Sequence, residues 1–186
     1  MGRGKLIVIS GASGVGKGTV LGKMMEKRKD LQFSVSATTR PPRPNEVDGV
    51  HYYFITKEQF QDMIAKGEFL EYDAHAANYY GTPRRQAEEK CRKGHVLLDI
   101  EPKGAAQVRK SDPDAVLIFI MPPSMQELER RLRGRGDTPE DQIALRMERA
   151  AWEMEQRSWY DYVVVNDDAD RCADEILHIL SELEEK

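Results

Sequence analysis

Cysteine is scarce in this chain: Cys91 and Cys172 stand far apart and form no C-x-x-C pair. That excludes a disulfide framework and suits a reducing compartment, where thiols stay free. The four histidines, His51, His75, His95 and His178, show no ligand spacing with one another or with cysteine, so no zinc site is expected. No apolar run approaches the ~20 residues of a membrane span. The opening Met1-Gly2-Arg3-Gly4-Lys5-Leu6 has no signal-peptide core, and Leu6 stands where a myristoylation motif needs Ser or Thr. Cytoplasm is the expected location. Neither charge dominates, since 28 basic and 32 acidic residues leave a net charge of −4. Such a balance gives no support to a nucleic acid or membrane partner. Internal repeats and low-complexity tracts are missing as well. What remains is an ordinary globular composition, 40% hydrophobic and 32% charged, with enough length at 186 residues for one substantial core.

Against that plain background one stretch stands out. Ile7-Val8-Ile9-Ser10 runs straight into Gly11-Ala12-Ser13-Gly14-Val15-Gly16-Lys17-Gly18-Thr19. The spacing G-x-x-x-x-G-K between a strand and a helix is that of a phosphate-binding loop. Its glycines let consecutive backbone N–H groups converge on one anion, and the helix adds its positive N-terminal dipole. Lys17 then reaches the outer phosphates of a nucleoside triphosphate. The full pattern ends K-[ST], whereas Gly18 follows Lys17 here and Thr19 comes one later. The hydroxyl that normally touches magnesium is missing, although Thr19 can still hold a phosphate oxygen.

Apolar runs that do not alternate read as strands of a buried parallel sheet: residues 6–10, 95–99, 115–120 and 162–166. Between them the pattern predicts helices over about 17–28, burying Val20, Leu21, Met24 and Met25, and over 82–93, 102–110 and 170–183. Ser124-Met125-Gln126-Glu127 reads as a capping box opening a helix to about Arg133. After the loop Gly134-Arg135-Gly136-Asp137, Thr138 caps a long helix with Pro139 at its first position. Residues 36–83 differ in style. A strand at 33–36 leads into Thr39-Arg40-Pro41-Pro42-Arg43-Pro44, whose prolines impose a stiff extended path. Strands follow at 51–55, 68–75 and 78–81, with a capping box at Thr56-Lys57-Glu58-Gln59 opening a helix that Gly67 stops. The whole is α/β, a parallel sheet with right-handed crossovers and an inserted strand-rich lobe. Ligands in such sheets bind beyond the carboxyl ends of the strands, where the phosphate loop, Asp99 and Asn166 fall.

Several segments together resemble the guanylate kinase family of nucleoside monophosphate kinases. They are residues 11–17, Ser36-Ala37-Thr38-Thr39-Arg40-Pro41-Pro42-Arg43, Asp48-Gly49-Val50-His51-Tyr52-Tyr53-Phe54, Glu68-Phe69-Leu70-Glu71, Asn78-Tyr79-Tyr80-Gly81-Thr82, Leu98-Asp99-Ile100-Glu101, Arg131-Leu132-Arg133-Gly134-Arg135-Gly136 and Val165-Asn166-Asp167. They span nearly the whole chain in the family's order. The resemblance implies one domain with a core (1–35, 84–123 and 151–186), a GMP-binding lobe (36–83) and a lid (124–150). The reaction it implies is ATP + GMP giving ADP + GDP with Mg2+, in purine nucleotide metabolism and GMP recycling.

Joining two anionic nucleotides is electrostatically unfavourable, so the chemistry needs cations and positioning more than a base. Arg40 and Arg43 on the proline-stiffened path suit a bidentate clamp on the GMP phosphate. The resemblance adds the hydroxyls of Tyr53 and Tyr80. Guanine offers two N–H donor groups and one carbonyl; in matching positions Glu71 takes the donors while Ser36 and Thr82 supply hydroxyls. Glu101 stands where the family has an acidic partner, and Asp99 is counted with the GMP set and as a carboxylate orienting magnesium through water. Of the lid cations, Arg131, Arg135 and Arg146 match phosphate-contacting arginines of the family and join Lys17 and Arg40 as catalytic candidates. Asn166 matches an adenine-edge contact. With Gly18 after Lys17, the metal is expected on nucleotide phosphates and water. Two other readings fit less well. A kinase-like scaffold that binds phosphopeptides typically has a degraded phosphate loop, whereas Lys17 and the lid arginines are kept here. A phosphate-loop GTPase needs N-K-x-D, and the lobe motifs would go unexplained. Oligomeric state stays open.

Overall fold

The structure is a computed structural model and describes residues 4–75, 77–134 and 139–185. Its first strand, β1 (Leu6–Gly11), is buried along its whole length, as an unalternating apolar run inside a parallel sheet should be. Helix α1 (Lys17–Lys27) buries Val20, Leu21 and Met24. Met25, expected on that face, is 45% exposed, because it lies about 100° around the helix from Met24 and off the stripe. Strand β2 is only Gln32–Phe33, paired in parallel with β7 (Val96–Asp99). The strand expected over 33–36 breaks off because Gln86 takes over its backbone: Gln86 Oε1 accepts from the Val35 N–H and the Ser34 hydroxyl, both at 3.0 Å.

The chain then enters a second sheet. Its strands are β3 (Ala37–Thr38), β4 (Tyr53–Phe54), β5 (Phe69–His75) and β6 (Asn78–Pro83), in the order β4-β3-β6-β5. The strand expected over 51–55 is thus shorter and pairs in parallel with β3. Helix α2 (Lys57–Ala65) opens with the expected capping box. The Gln59 N–H donates to Thr56 Oγ1 at 3.2 Å, and the Thr56 N–H donates to Gln59 Oε1 at 2.8 Å. Phe60 of α2 stacks on Phe69 at 4.3 Å and on Tyr79 at 5.2 Å, which provides this small sheet with a core of its own.

Helix α3 (Arg84–Cys91) starts two residues later than expected, since Thr82 and Pro83 still belong to β6. After β7 come α4 (Pro102–Ser111), β8 (Val116–Met121), α5 (Met125–Arg133), α6 (Glu140–Glu155), a short 3-10 turn (Gln156–Trp159), β9 (Tyr162–Val165) and α7 (Ala169–Glu184). Only half of the box expected at Ser124 is formed. Its hydroxyl accepts from the Glu127 N–H, but the Glu127 carboxylate is bound by Arg130 and Arg131, which hold it down to about 2. Pro139 caps α6 instead of occupying its first turn, and Thr138 lies outside the described residues. The parallel five-stranded sheet has the order β2-β7-β1-β8-β9, with the Gly11–Thr19 loop at the end of its central strand. By compactness the chain divides into two units, 1–8 with 32–116 and 9–31 with 117–186. Among the described residues no helix is long and apolar enough to cross a membrane.

Candidate active site

In the unit formed by 9–31 and 117–186, the loop Gly11–Thr19 is tied down from outside. The Val15 N–H closes back on the Ala12 carbonyl at 3.0 Å, and Gly16 holds a left-handed φ of 90°. The Val15 carbonyl accepts from Asn166 Nδ2 at 2.8 Å and from Arg131 Nη1 at 3.3 Å. Arg131 also donates through Nη2 to the Asn166 carbonyl at 3.0 Å and through Nε to Glu127 at 2.8 Å. The Ser13 N–H donates to Glu153 Oε2 at 2.7 Å, while Arg149 Nε neutralises the other oxygen of Glu153 at 2.9 Å. Glu153 is only 2% exposed. These bonds hold the loop's shape, which is the condition for backbone donors to act on an anion without reorganising. Lys17 is half-buried at the start of α1, and Gly18 and Thr19 are exposed. Arg146 is half-buried on α6, and Arg135 lies outside the described residues.

Asn166 and Arg131 both bond to the loop itself, at the Val15 carbonyl. The Asn166 side chain, expected at an adenine edge, is buried at 4% exposure with its amide donating to the loop. Glu153 carried no signal in the sequence, since a glutamate on a helix is usually a solvated one.

In the unit formed by 1–8 and 32–116, a second cluster gathers around Arg40. Its guanidinium lies over the rings of Tyr52 and Phe54, 5.1 and 5.7 Å from their centroids, and Glu46 holds it by both carboxylate oxygens at 2.7 Å. Tyr80 meets Tyr52 edge-on at 6.2 Å, and its hydroxyl acts on Arg40 too. The Tyr52 hydroxyl is pushed up by burial and then by the negative charge of Asp99, which is exposed at the end of β7. Arg43 is exposed and Ser36 half-buried. Tyr53, expected beside Arg40, is placed elsewhere. It packs against the Phe60 cluster, and its hydroxyl accepts from Gln86 Nε2 at 2.8 Å. Neighbouring residues in extended chain face opposite ways, so Tyr52 takes the place given to Tyr53.

Glu71 lies in the same unit at 5% exposure. Thr82 Oγ1 donates to its Oε1 at 2.5 Å. Burial pushes the carboxyl up to about 7 against the lowering effect of Thr82, with Asp73 and Glu101 adding negative charge. Gly104 of α4 makes the space: a Cβ there would stand 2.4 Å from Glu71 Oε2. Glu101 caps α4 and is exposed.

A family model described as guanylate kinase matches residues 3–183. The chain is 51% identical to the guanylate kinase of Nostoc sp. strain PCC 7120 over 166 residues, covering 89% of this chain and 83% of that protein. It is 48% identical to the guanylate kinase of Synechocystis sp. strain PCC 6803 over 183 residues, covering 98% and 96%. Among solved structures, guanylate kinase from Anaplasma phagocytophilum superposes with a TM-score of 0.79 at 37% identity, covering 99% of this chain and 88% of that one.

Proposed function

The chain belongs to the guanylate kinase family, and from that premise we propose how its residues divide the work of ATP-dependent GMP phosphorylation. ATP is bound on the Gly11–Thr19 loop, with the inward N–H groups and Lys17 on its β- and γ-phosphates. GMP is bound in the lobe of residues 36–83, its phosphate on Arg40, Arg43, Tyr52 and Tyr80, and its guanine edge on Glu71, Thr82 and Ser36. Arg131, Arg135 and Arg146 neutralise charge on the phosphoryl group in flight, a role that an arginine can fill with ~10³-fold or more in rate. A GMP phosphate oxygen attacks the γ-phosphorus, the bond to the ADP oxygen breaks, and no side chain has to serve as a strong base. The observation that carries this reading is the buried Glu71 bonded to Thr82: a carboxylate kept from water, suited to guanine's N–H donors, where adenine would set its N1 acceptor against it.

Magnesium is the ion proposed to accompany ATP. Among the described residues no group of three His, Cys, Asp or Glu could hold a metal ion, and Gly18 supplies no hydroxyl. The residues present fit an ion held through nucleotide phosphates and water, with the exposed Thr19 hydroxyl on the loop as a protein oxygen. When bound, such an ion neutralises the β- and γ-phosphate oxygens. The reaction is placed in the cytoplasm, within purine nucleotide recycling; both cysteines are free and buried, in keeping with a reducing compartment.

A coupled assay with ATP tests the reading: GMP should be phosphorylated in strong preference to AMP, UMP and CMP. Lys17→Ala and Arg40→Ala should each reduce turnover by orders of magnitude while leaving the fold intact. Turnover preserved in both variants would remove the mechanism.

A further inference from the structure

The loop that carries Arg40 also carries a carboxylate to which the mechanism above gives no role. Glu46 grips Arg40 end-on: Oε2 accepts from Nη1 and Oε1 from Nη2, both at 2.7 Å. The side chains of the pair are 11% and 18% exposed. Oε2 also accepts from the Arg43 backbone N–H at 2.8 Å, and the Glu46 N–H returns to the Arg43 carbonyl at 3.0 Å. Arg40 Nη1 has a second acceptor in the Pro41 carbonyl at 3.0 Å.

A guanidinium is a planar fork of five N–H donors with more than one bidentate edge. Glu46 and Pro41 account for both hydrogens of Nη1 and one of Nη2. The Nε–H and the second Nη2 hydrogen make up another edge, whose spacing suits two oxygens of a phosphate; the Tyr80 hydroxyl, which also bonds Arg40, is proposed as a phosphate partner beside it. We propose that Glu46 is a positioning residue, holding one edge of Arg40 so that the other is presented, already oriented, to the phosphate of GMP. The inference rests on the reading of GMP as acceptor.

A rival role has the opposite sign. If Glu46 merely stood in for the phosphate, GMP would have to displace it, and removing its charge would tighten GMP binding. The local backbone argues for positioning. Glu46 is built into the turn of residues 43–46, where Asn45 holds a left-handed φ of 71°, and its departure would strip the Arg43 N–H of its acceptor. Arg40 holds the carboxyl down to about 2, so it stays ionised throughout the neutral range.

The test uses the whole chain with Glu46→Gln and, as a milder variant, Glu46→Asp. Binding of GMP and of guanosine, which lacks the phosphate, is measured by calorimetry, alongside KM for GMP and for ATP. Positioning predicts that Glu46→Gln weakens GMP by about tenfold or more, the scale of one charge-assisted bond to phosphate, while guanosine and the ATP KM stay as in the parent. Glu46→Asp keeps the charge and should fall between the two; it serves alone if the Gln variant does not fold. Tighter GMP binding, unchanged GMP binding, or equal losses for GMP and guanosine would each overturn the inference. Failure of the underlying reading looks different, because the parent protein itself would then not hold GMP.

Discussion

Glu71 is where the sequence motif and the physical environment make separate demands. A carboxylate suits guanine's donors only when ionised, yet burial raises it to about 7. A raised folded-state value means that the folded chain keeps a proton the unfolded chain has lost. Stability from this group is full below the ordinary carboxylate range and declines as pH climbs to about 7, by on the order of 3 kcal/mol, levelling off above. Guanine binding runs the other way and favours the ionised form. Guanosine affinity should therefore rise from about pH 5.5 to about 8 and flatten, whereas Glu71→Gln should bind weakly with a flat profile. Calorimetry across that range checks it, and a flat profile in the parent protein would remove Glu71 from the base contact. The glutamate was legible as a candidate for the guanine edge, but its neighbour in space was not: Gly104 lies far along the chain and matters through the missing Cβ. Tyr52 and Tyr53 teach a similar lesson. Two adjacent tyrosines are equivalent as chemistry, and only the direction of the extended chain assigns one to Arg40 and the other to Gln86.

At the scale of elements, the Gly11–Thr19 loop is a backbone feature held by side chains from other elements: Arg131 from α5, Glu153 from α6 and Asn166 from the end of β9. Arg131 and Asn166 satisfy the Val15 carbonyl and Glu153 the Ser13 N–H, so the loop's peptide groups find partners outside it. Asn166 separates two readings. As a tether, its loss loosens the loop for any triphosphate; as an adenine contact, its loss harms ATP alone. Asn166→Ala is expected to raise the KM for ATP and for a non-adenine triphosphate by similar factors, about five- to tenfold for one buried hydrogen bond. Steady-state kinetics with both donors checks this, and a loss confined to ATP would return Asn166 to the base.

For the whole molecule, the Gly11–Thr19 loop belongs to one compact unit, and Arg40 and Glu71 belong to the other. Each nucleotide should then stabilise the chain by its own route. Ligand at about 100 times its Kd contributes about 2.7 kcal/mol, which for a chain of this size raises Tm by roughly 5–10 °C. Lys17→Ala should lose the shift caused by ATP and keep the shift caused by GMP, while Arg40→Ala should do the reverse. Thermal scans with each nucleotide alone check the pair; both shifts vanishing in either variant would refute separate binding.

What the residue order decided by itself was local. The apolar run of β1, the glycines and lysine after it, the prolines around Arg40 and the Thr56 box act within a few residues of one another, so their consequences can be worked out from spacing alone. What the tertiary structure decided was which distant group meets which. Gln86 ends β2 early, Glu153 anchors the Ser13 N–H and Gly104 makes room for Glu71. None of these has a periodic or spacing signature. A hydrogen bond across 140 positions, like that from Ser13 to Glu153, exists only once folding has removed the water that would otherwise satisfy both partners.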